Sequence, residues 1–243
     1  IRTTKQSKEL INKRIVPICP FLEVPSLQER FIPDADAVIA TWWETAYYVH
    51  SYSHRKGMKF YFVRGYEVWY GNQKLVDQTY LFPFKIIVTS TSLKKTLQDK
   101  VSVTPDAIIP NGINFKLFYR INQSYKTNIK KRIGMVYRGM ELKGMQDGFH
   151  AYRLVKQSLP DISLVLFGHP PIGPVPDDVE FHEYPDIDRL RTIYNSLDVF
   201  MLPSHHGEAF ANPPLEAMAC GTACVLTNVG GVPDYAIPGV TAL

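Results

Sequence analysis

From residue 132 onward, short runs rich in β-branched and large apolar residues alternate with segments of helical character: RIGMVYR, DGFHAYRLVKQS, ISLVLFG, VEFHEY, IDRLRTIYNSL, DVFMLP, PPLEAMAC and TACVLT. Strands separated by helices are too far apart in sequence to pair through a tight turn. They pair in parallel, and a parallel sheet is covered by helices on both faces. The segment before residue 120 behaves likewise, through AVIAT, a helical ETAYYVHSYSHR, KFYFV, KIIVTS, SLKKTLQDK and AIIP. The fold class is therefore α/β, with two Rossmann-like domains as the economical reading.

Between the halves, the stretch YRINQSYKTNIKKR is polar, basic and without helical periodicity, as a linker should be. The sequence thus divides into a first domain over 1–119, a linker over 120–131 and a second domain over 132–243. Residues 1–35 show little periodicity, and the chain stops at VTAL in what reads as a strand. Both ends are expected to be cuts from a longer protein.

A composition of 45% hydrophobic and 21% charged residues is that of an ordinary globular protein. The amino terminus, IRTTKQSKELINKR, lacks the apolar core of a secretory signal, and no run approaches the roughly 18 apolar residues of a membrane span. Three cysteines, Cys19, Cys220 and Cys224, show no metal-type spacing, and the expected location is cytoplasmic. Charge is uneven: residues 1–120 hold 17 Lys/Arg against 10 Asp/Glu, whereas residues 121–243 hold 10 against 13. The first half should favour an anionic partner, either an acidic acceptor or the anionic inner face of a membrane touched peripherally. No interleaved basic and aromatic motif accompanies the charge, so nucleic acid is not an expected partner.

Chemistry concentrates in HHGEAFANPPLEAMACG, residues 205–221, directly after the strand DVFMLP. Ligands of parallel sheets sit outside the carboxyl ends of the strands. Asn212 reads as a helix N-cap, Pro213 as the first helical residue and Gly221 as the terminator. Glu208 then lies in the loop and Glu216 just inside the helix. A helix N-terminus favours phosphate, and carboxylates beside it favour the hydroxyls of a sugar or ribose. A nucleoside diphosphate sugar carries both.

Glu208, seven residues, Glu216 and then Ala217-Met218-Ala219-Cys220-Gly221 resemble the donor domain of GT-B glycosyltransferases of the retaining family 4 type. The later ACVLTNVGGVPDY, with Asp234 where that family usually has Glu, and the upstream PNGIN at 110–114 followed by Phe115 and Phe118 agree with it. So does Arg138, four residues, Lys143-Gly144 after the strand RIGMVY. The resemblance implies two Rossmann-like domains facing across a cleft and a nucleoside diphosphate sugar donor. It implies transfer to a glycan or lipid-linked glycan acceptor, with retention. Glu208 would contact the transferred sugar near its reacting carbon and Glu216 the ribose hydroxyls. Backbone N–H groups of Phe210, Ala211 and Asn212 would meet the phosphates, and Tyr184 would neighbour the base. Arg138 and Lys143 would neutralise the charge growing on the departing diphosphate, so no metal and no cofactor is expected.

The family often has Glu-Gly-Phe-Gly where this chain has Glu208-Ala209-Phe210-Ala211. Where many members carry a histidine after a first-domain strand, this chain has Thr41, Trp43 and Glu44 in ATWWE. Those residues, with Arg64, Tyr66 and Glu67 of VRGYEVWY, are the acceptor-side candidates. WWE and RGYEVW are also similar to bacterial rhamnosyltransferases of cell-surface polysaccharide assembly. Asp34 and Asp36, and Asp186 and Asp188, have the DxD spacing of metal-binding glycosyltransferases, but the first pair precedes its strand and the second opens a helix. His205 and His206 read as loop residues rather than metal ligands. Readings from other classes are an epimerase or phosphorylase of the same architecture and a non-catalytic sugar-nucleotide binding protein.

Overall fold

In the first half, four strands form one parallel sheet: β1 (Ala37–Ala40), β2 (Met58–Val63), β3 (Lys85–Val88) and β4 (Ala107–Ile108), in the spatial order β1-β2-β3-β4. The computed structural model describes residues 22–121, 130–139, 143–170, 179–206 and 208–243. The helices α1 (Trp43–Ser51), α2 (Gln73–Thr79) and α3 (Thr91–Val101) connect successive strands. α1 stops at Ser51, and the residues read as its continuation form a short 3-10 turn, His54–Lys56, because the chain must reverse to enter β2. α2, at QKLVDQT, has too short a periodic pattern to be read from sequence. Caps set the other starts: the Asn72 side chain accepts from the Lys74 N–H, and the Ser90 side chain from the Leu93 N–H.

Because each strand is added beside the last, right-handed crossovers carry these helices to a single face of the sheet. Register aligns Ala40, Tyr61 and Ile86, and next to them Val63 and Val88, all buried. The alternate residues point the other way, where Ile39 is 56% and Met58 59% exposed.

The second half is wound in two directions. Its strands are β5 (Lys131–Tyr137), β6 (Ile162–Gly168), β7 (Val179–Glu183), β8 (Val199–Leu202) and β9 (Ala223–Leu226), all parallel, in the order β7-β6-β5-β8-β9. The helices are α4 (Met145–Ser158), α5 (Ile187–Ser196) and α6 (Asn212–Ala219). β6 shows how both faces are filled. Leu164 and Leu166 pack with Met145, Phe149 and Tyr152 of α4, whereas Val165 and Phe167 pack with Ile193 and Tyr194 of α5 and Ala217 of α6. The expected double-sided parallel sheet is therefore present in this half.

The chain divides into two compact units, Ile1–Asn111 and Gly112–Leu243. The division falls ahead of residue 119 because the segment after Asn111 is anchored to the second unit. Phe118 is buried edge-on against Tyr194, the Ile121 N–H donates to Asn195 Oδ1, and Asn195 Nδ2 donates to the Tyr119 carbonyl. Most of the stretch read as linker, 122–129, lies outside the described residues. At the other end, VTAL is a turn rather than a strand. Leu243 alone aligns with β9, accepting from the Leu226 N–H and donating to the Cys224 carbonyl. Among the described residues no helix is long and apolar enough to cross a membrane.

Candidate active site

β5 and β8 are neighbours, yet the helices that follow them, α4 and α6, pack on opposite faces of the sheet. Ligands of doubly wound sheets bind at such a reversal. Backbone approach holds the chain entering α4 against the chain leaving β8. Gly144 has φ +61°, and a Cβ on it would lie 1.9 Å from the Pro203 carbonyl oxygen. His205 pairs with Asp147 in the first turn of α4.

Between these segments, Lys143 Nζ donates to Glu208 Oε1 at 2.5 Å, and Ser204 Oγ donates to the same oxygen at 2.7 Å. Glu208 is only 8% exposed, so its charge depends on these two donors. Oε2 accepts no bond from any described residue. The backbone of Glu208 is pinned as well: its carbonyl accepts the Gly231 N–H at 2.9 Å, and a Cβ on Gly230 would lie 1.7 Å from that carbonyl oxygen. Thr227 Oγ1 donates to the carbonyls of Ser204 and Leu202, fixing the start of the loop.

α6 begins one residue earlier than read from sequence. Ala211 is its cap and Asn212 its first residue, and Gly221, at φ +78°, follows its end as expected. Prolines suit the first turn, where N–H groups have no helical partner. Pro213 and Pro214 have no N–H, so the donors at this end come from Phe210, Ala211 and Asn212. The Phe210 and Ala211 N–H groups donate to no acceptor among the described residues. Phe210 is fixed against Tyr235 at 5.2 Å between ring centroids, and the Tyr235 hydroxyl donates to the Ala211 carbonyl.

Glu216 Oε2 accepts a 2.8 Å bond from the hydroxyl of Tyr194 on α5. Burial, and next the neighbouring Glu216 charge, hold the Tyr194 phenol well above its usual range, so it remains a donor. Arg138 is exposed just beyond β5 and makes no ion pair among the described residues. Tyr184, just beyond β7, has φ +41° and its hydroxyl lies 3.1 Å from His169 Nδ1, beyond β6. The structure thus brings Lys143 and Glu208 into contact. It sets Arg138 at the same strand end as Lys143, and directs Glu216 toward α5.

The acceptor-side candidates fall into two groups. Thr41, Glu44 and Arg64 are exposed. Trp43, Tyr66 and Glu67 are engaged within the first unit: the Trp43 N–H donates to Glu67 Oε2 at 2.9 Å, and the Tyr66 hydroxyl donates to Asp77 Oδ1 at 2.7 Å. Glu67 is 4% exposed, and burial pushes its carboxyl up to about 7 against the opposing Trp43 N–H. The aspartates with DxD spacing also have structural partners: Asp34 pairs with Arg55 and Lys56, Asp186 caps α5, and Asp188 pairs with Arg191. Among the described residues no group of three or more His, Cys, Asp or Glu side chains is arranged to hold a metal.

Sequence reasoning missed Ser204, Tyr194 and Thr227, which orient the two glutamates and the loop. Ser204 had a local signal, four residues before Glu208 at a strand end. The hydroxyls of Tyr194 and Thr227 reach their partners only through the tertiary fold.

The family model for glycosyl transferases group 1 matches residues 130–243. The chain is 24% identical over 183 residues to lipopolysaccharide 1,2-N-acetylglucosaminetransferase of Salmonella typhimurium, covering 65% of this chain and 47% of that protein. It is 26% identical over 185 residues to alpha-maltose-1-phosphate synthase of Mycolicibacterium smegmatis, again covering 65% and 47%. The chain thus spans about half the length of the curated relatives it matches. Among solved structures, sucrose-phosphate synthase from Thermosynechococcus elongatus superposes with a TM-score of 0.72 at 20% identity, covering 86% of this chain and 60% of that one. Anabaena HepE in complex with UDP-glucose gives a TM-score of 0.67 at 16% identity, covering 86% and 64%. Residues 130–243, which carry the Lys143–Glu208 contact, thus match the family model of the glycosyl transferases group 1, within a chain of GT-B fold.

Proposed function

We propose that the β5–β8 switch point binds a nucleoside diphosphate sugar and that the complete protein transfers the sugar, with retention, to a glycan or lipid-linked glycan acceptor. The observation that carries this reading is the Lys143–Glu208 contact at the switch point: a cation for the diphosphate beside a pinned carboxylate for the sugar hydroxyls. Arg138, Lys143 and the N–H groups of Phe210, Ala211 and Asn212 supply positive potential where the leaving diphosphate gains charge, so the reaction proceeds without a metal. Glu216, held by Tyr194, is the carboxylate assigned to the ribose hydroxyls. Exposed Thr41, Glu44 and Arg64 offer polar groups to the acceptor. The basic excess of the first half suits an acidic glycan or peripheral contact with an anionic inner membrane surface in the cytoplasm. Nucleic acid has no role in this reading. Retention and the donor chemistry rest on the family resemblance and on the relatives that are sugar transferases.

Calorimetry with UDP-, GDP-, ADP- and dTDP-linked sugars, with and without a chelator, tests the reading. At least one donor should bind, equally well after chelation. Binding of none of them would overturn the functional reading, and loss of binding on chelation would overturn its metal-independent mechanism.

A further inference from the structure

We infer that Glu208 competes with the donor diphosphate for Lys143, so that this ion pair opens when a nucleoside diphosphate sugar enters and closes again to expel the nucleoside diphosphate. The inference rests on the proposed function and adds to it a device for releasing product.

Its basis is that the group expected to hold phosphate is already held by the group expected to hold the sugar. Lys143 Nζ lies 2.5 Å from Glu208 Oε1, with side-chain exposures of 21% and 10%. A diphosphate can claim the ammonium only by drawing it from the carboxylate. Glu208 cannot follow, because the Gly231 N–H and the close approach of Gly230 fix its backbone and Ser204 holds its carboxylate. The lysine is the mobile partner, a point charge on a flexible stem. Once it leaves, Glu208 retains only the neutral Ser204 hydroxyl, and a buried carboxylate so poorly compensated is costly.

The sugar decides the outcome. Its hydroxyls donate to Oε1 and Oε2 in place of the ammonium, so the intact donor satisfies both partners of the broken pair. After transfer, the remaining nucleoside diphosphate still engages Lys143 but offers Glu208 nothing. Re-formation of the ion pair then opposes product retention. Diphosphate and sugar are thereby coupled through a contact that neither makes with the other.

The test is calorimetry on the 243-residue chain and its Glu208→Gln, Ser204→Ala, Lys143→Met and Lys143→Met/Glu208→Gln variants. The probes are inorganic pyrophosphate, which needs no matching base, UDP and UDP-glucose. Glu208→Gln should bind pyrophosphate and UDP about tenfold tighter, as expected when a partly buried competing charge is removed, while UDP-glucose affinity changes less than about threefold. Ser204→Ala leaves Glu208 more dependent on Lys143 and should shift UDP the other way, about threefold weaker. In the Lys143→Met background, Glu208→Gln should have no effect beyond about twofold. Unchanged or weaker UDP binding by Glu208→Gln would overturn the inference, and so would equal tightening in the Lys143→Met background, which would mark a general field effect. If Glu208→Gln does not fold, the Ser204→Ala result decides alone, with unchanged or tighter UDP binding as the contrary outcome. If another donor of the panel binds in place of UDP-glucose, it and its nucleoside diphosphate replace the uridine probes; failure of the unaltered chain to bind pyrophosphate or any donor of the panel would instead remove the functional reading, and this inference with it.

Discussion

The two units use the same strand–helix alternation, but the first adds its described strands in chain order, β1-β2-β3-β4, and the second reverses to give β7-β6-β5-β8-β9. Sequential addition sends every crossover to one face and creates no point where adjacent loops part. Reversal sends α4 to one face and α5 and α6 to the other, so the chain leaves the neighbouring strands β5 and β8 toward opposite faces, the point at which ligands of doubly wound sheets bind. The buried carboxylates differ accordingly. Glu208 stands at the reversal, with the Lys143 ammonium and the Ser204 hydroxyl on one oxygen and no described partner on the other. Glu67, equally buried, accepts from the first N–H of α1 and braces its own unit. A buried acid at a reversal of strand order is thus a candidate for ligand contact, whereas one enclosed within its own unit is a structural joint.

The largest effect expected from breaking this contrast is that of Gly230→Ala. A φ of +55° and a Cβ 1.7 Å from the Glu208 carbonyl oxygen would force backbone apart, since neither side is a flexible side chain. A loss of about 3–5 kcal/mol in urea unfolding is expected, together with loss of donor binding. Gly112→Ala is the control, because nothing lies within 4 Å of its Cβ and it should stay within about 0.5 kcal/mol.

Lys143→Met should come next. It leaves Glu208 buried beside one neutral donor and should cost about 2–3 kcal/mol at neutral pH, somewhat less than a fully buried broken pair because the lysine is partly solvated. A loss near zero would place Glu208 with the exposed surface acids.

Glu67→Gln sharpens the contrast with opposite sign. The folded carboxyl is raised from 4.5 to about 7, so the native state binds its proton more tightly than the unfolded chain. The resulting stability is fully present below about 4.5, is lost as pH rises to about 7 and stays lost above it. On the order of 2 kcal/mol should disappear across that window in the unaltered chain. Glu67→Gln should be flat there and more stable at pH values above about 7. Asp34 and Asp106, whose carboxyls are lowered chiefly by hydrogen bonds from Lys56 and from the Ile86 N–H, act at lower pH and in the other direction. Trp42, Trp43 and Trp69 all lie in the first unit, so their fluorescence follows this transition.

The smallest effect is that of Tyr194→Phe, about 1 kcal/mol for one lost hydrogen bond to Glu216. Donor affinity should also fall, since Glu216 loses the donor that orients it. Unchanged affinity would separate Glu216 from ribose recognition.

Much of this was legible in the sequence because both units use strong, local signals. Runs such as ISLVLFG and KFYFV are apolar enough to be buried strands wherever they fall, and Gly221 could only follow a helix end. Strand order was not legible, because alternation fixes parallel pairing without saying which strand lies beside which. The role of Glu67 was hidden for a related reason: its donor, the Trp43 N–H, opens a helix 24 positions earlier, and only the fold brings the two together. Glu208 and Lys143 were found through motif spacing, but their mutual contact was not, since it joins loops 65 positions apart. The unit boundary was read late because YRINQ looks like linker, although Phe118 and Ile121 are anchored to α5. Cys220 and Cys224, which lack metal-type spacing in the sequence, are buried, and burial raises their thiols to about 11 and about 12, as for inert core residues.

Amide hydrogen exchange of the 243-residue chain, with and without a saturating nucleoside diphosphate sugar chosen from the donor panel, tests the central claim most directly. Protection should appear in 138–139, 143–144 and 208–216, beyond the carboxyl ends of β5 and β8, and should vanish in Lys143→Met. Protection confined to the strand ends of the first unit, around Thr41–Thr45 and Arg64–Glu67, would contradict the assignment of the donor site to the reversed sheet.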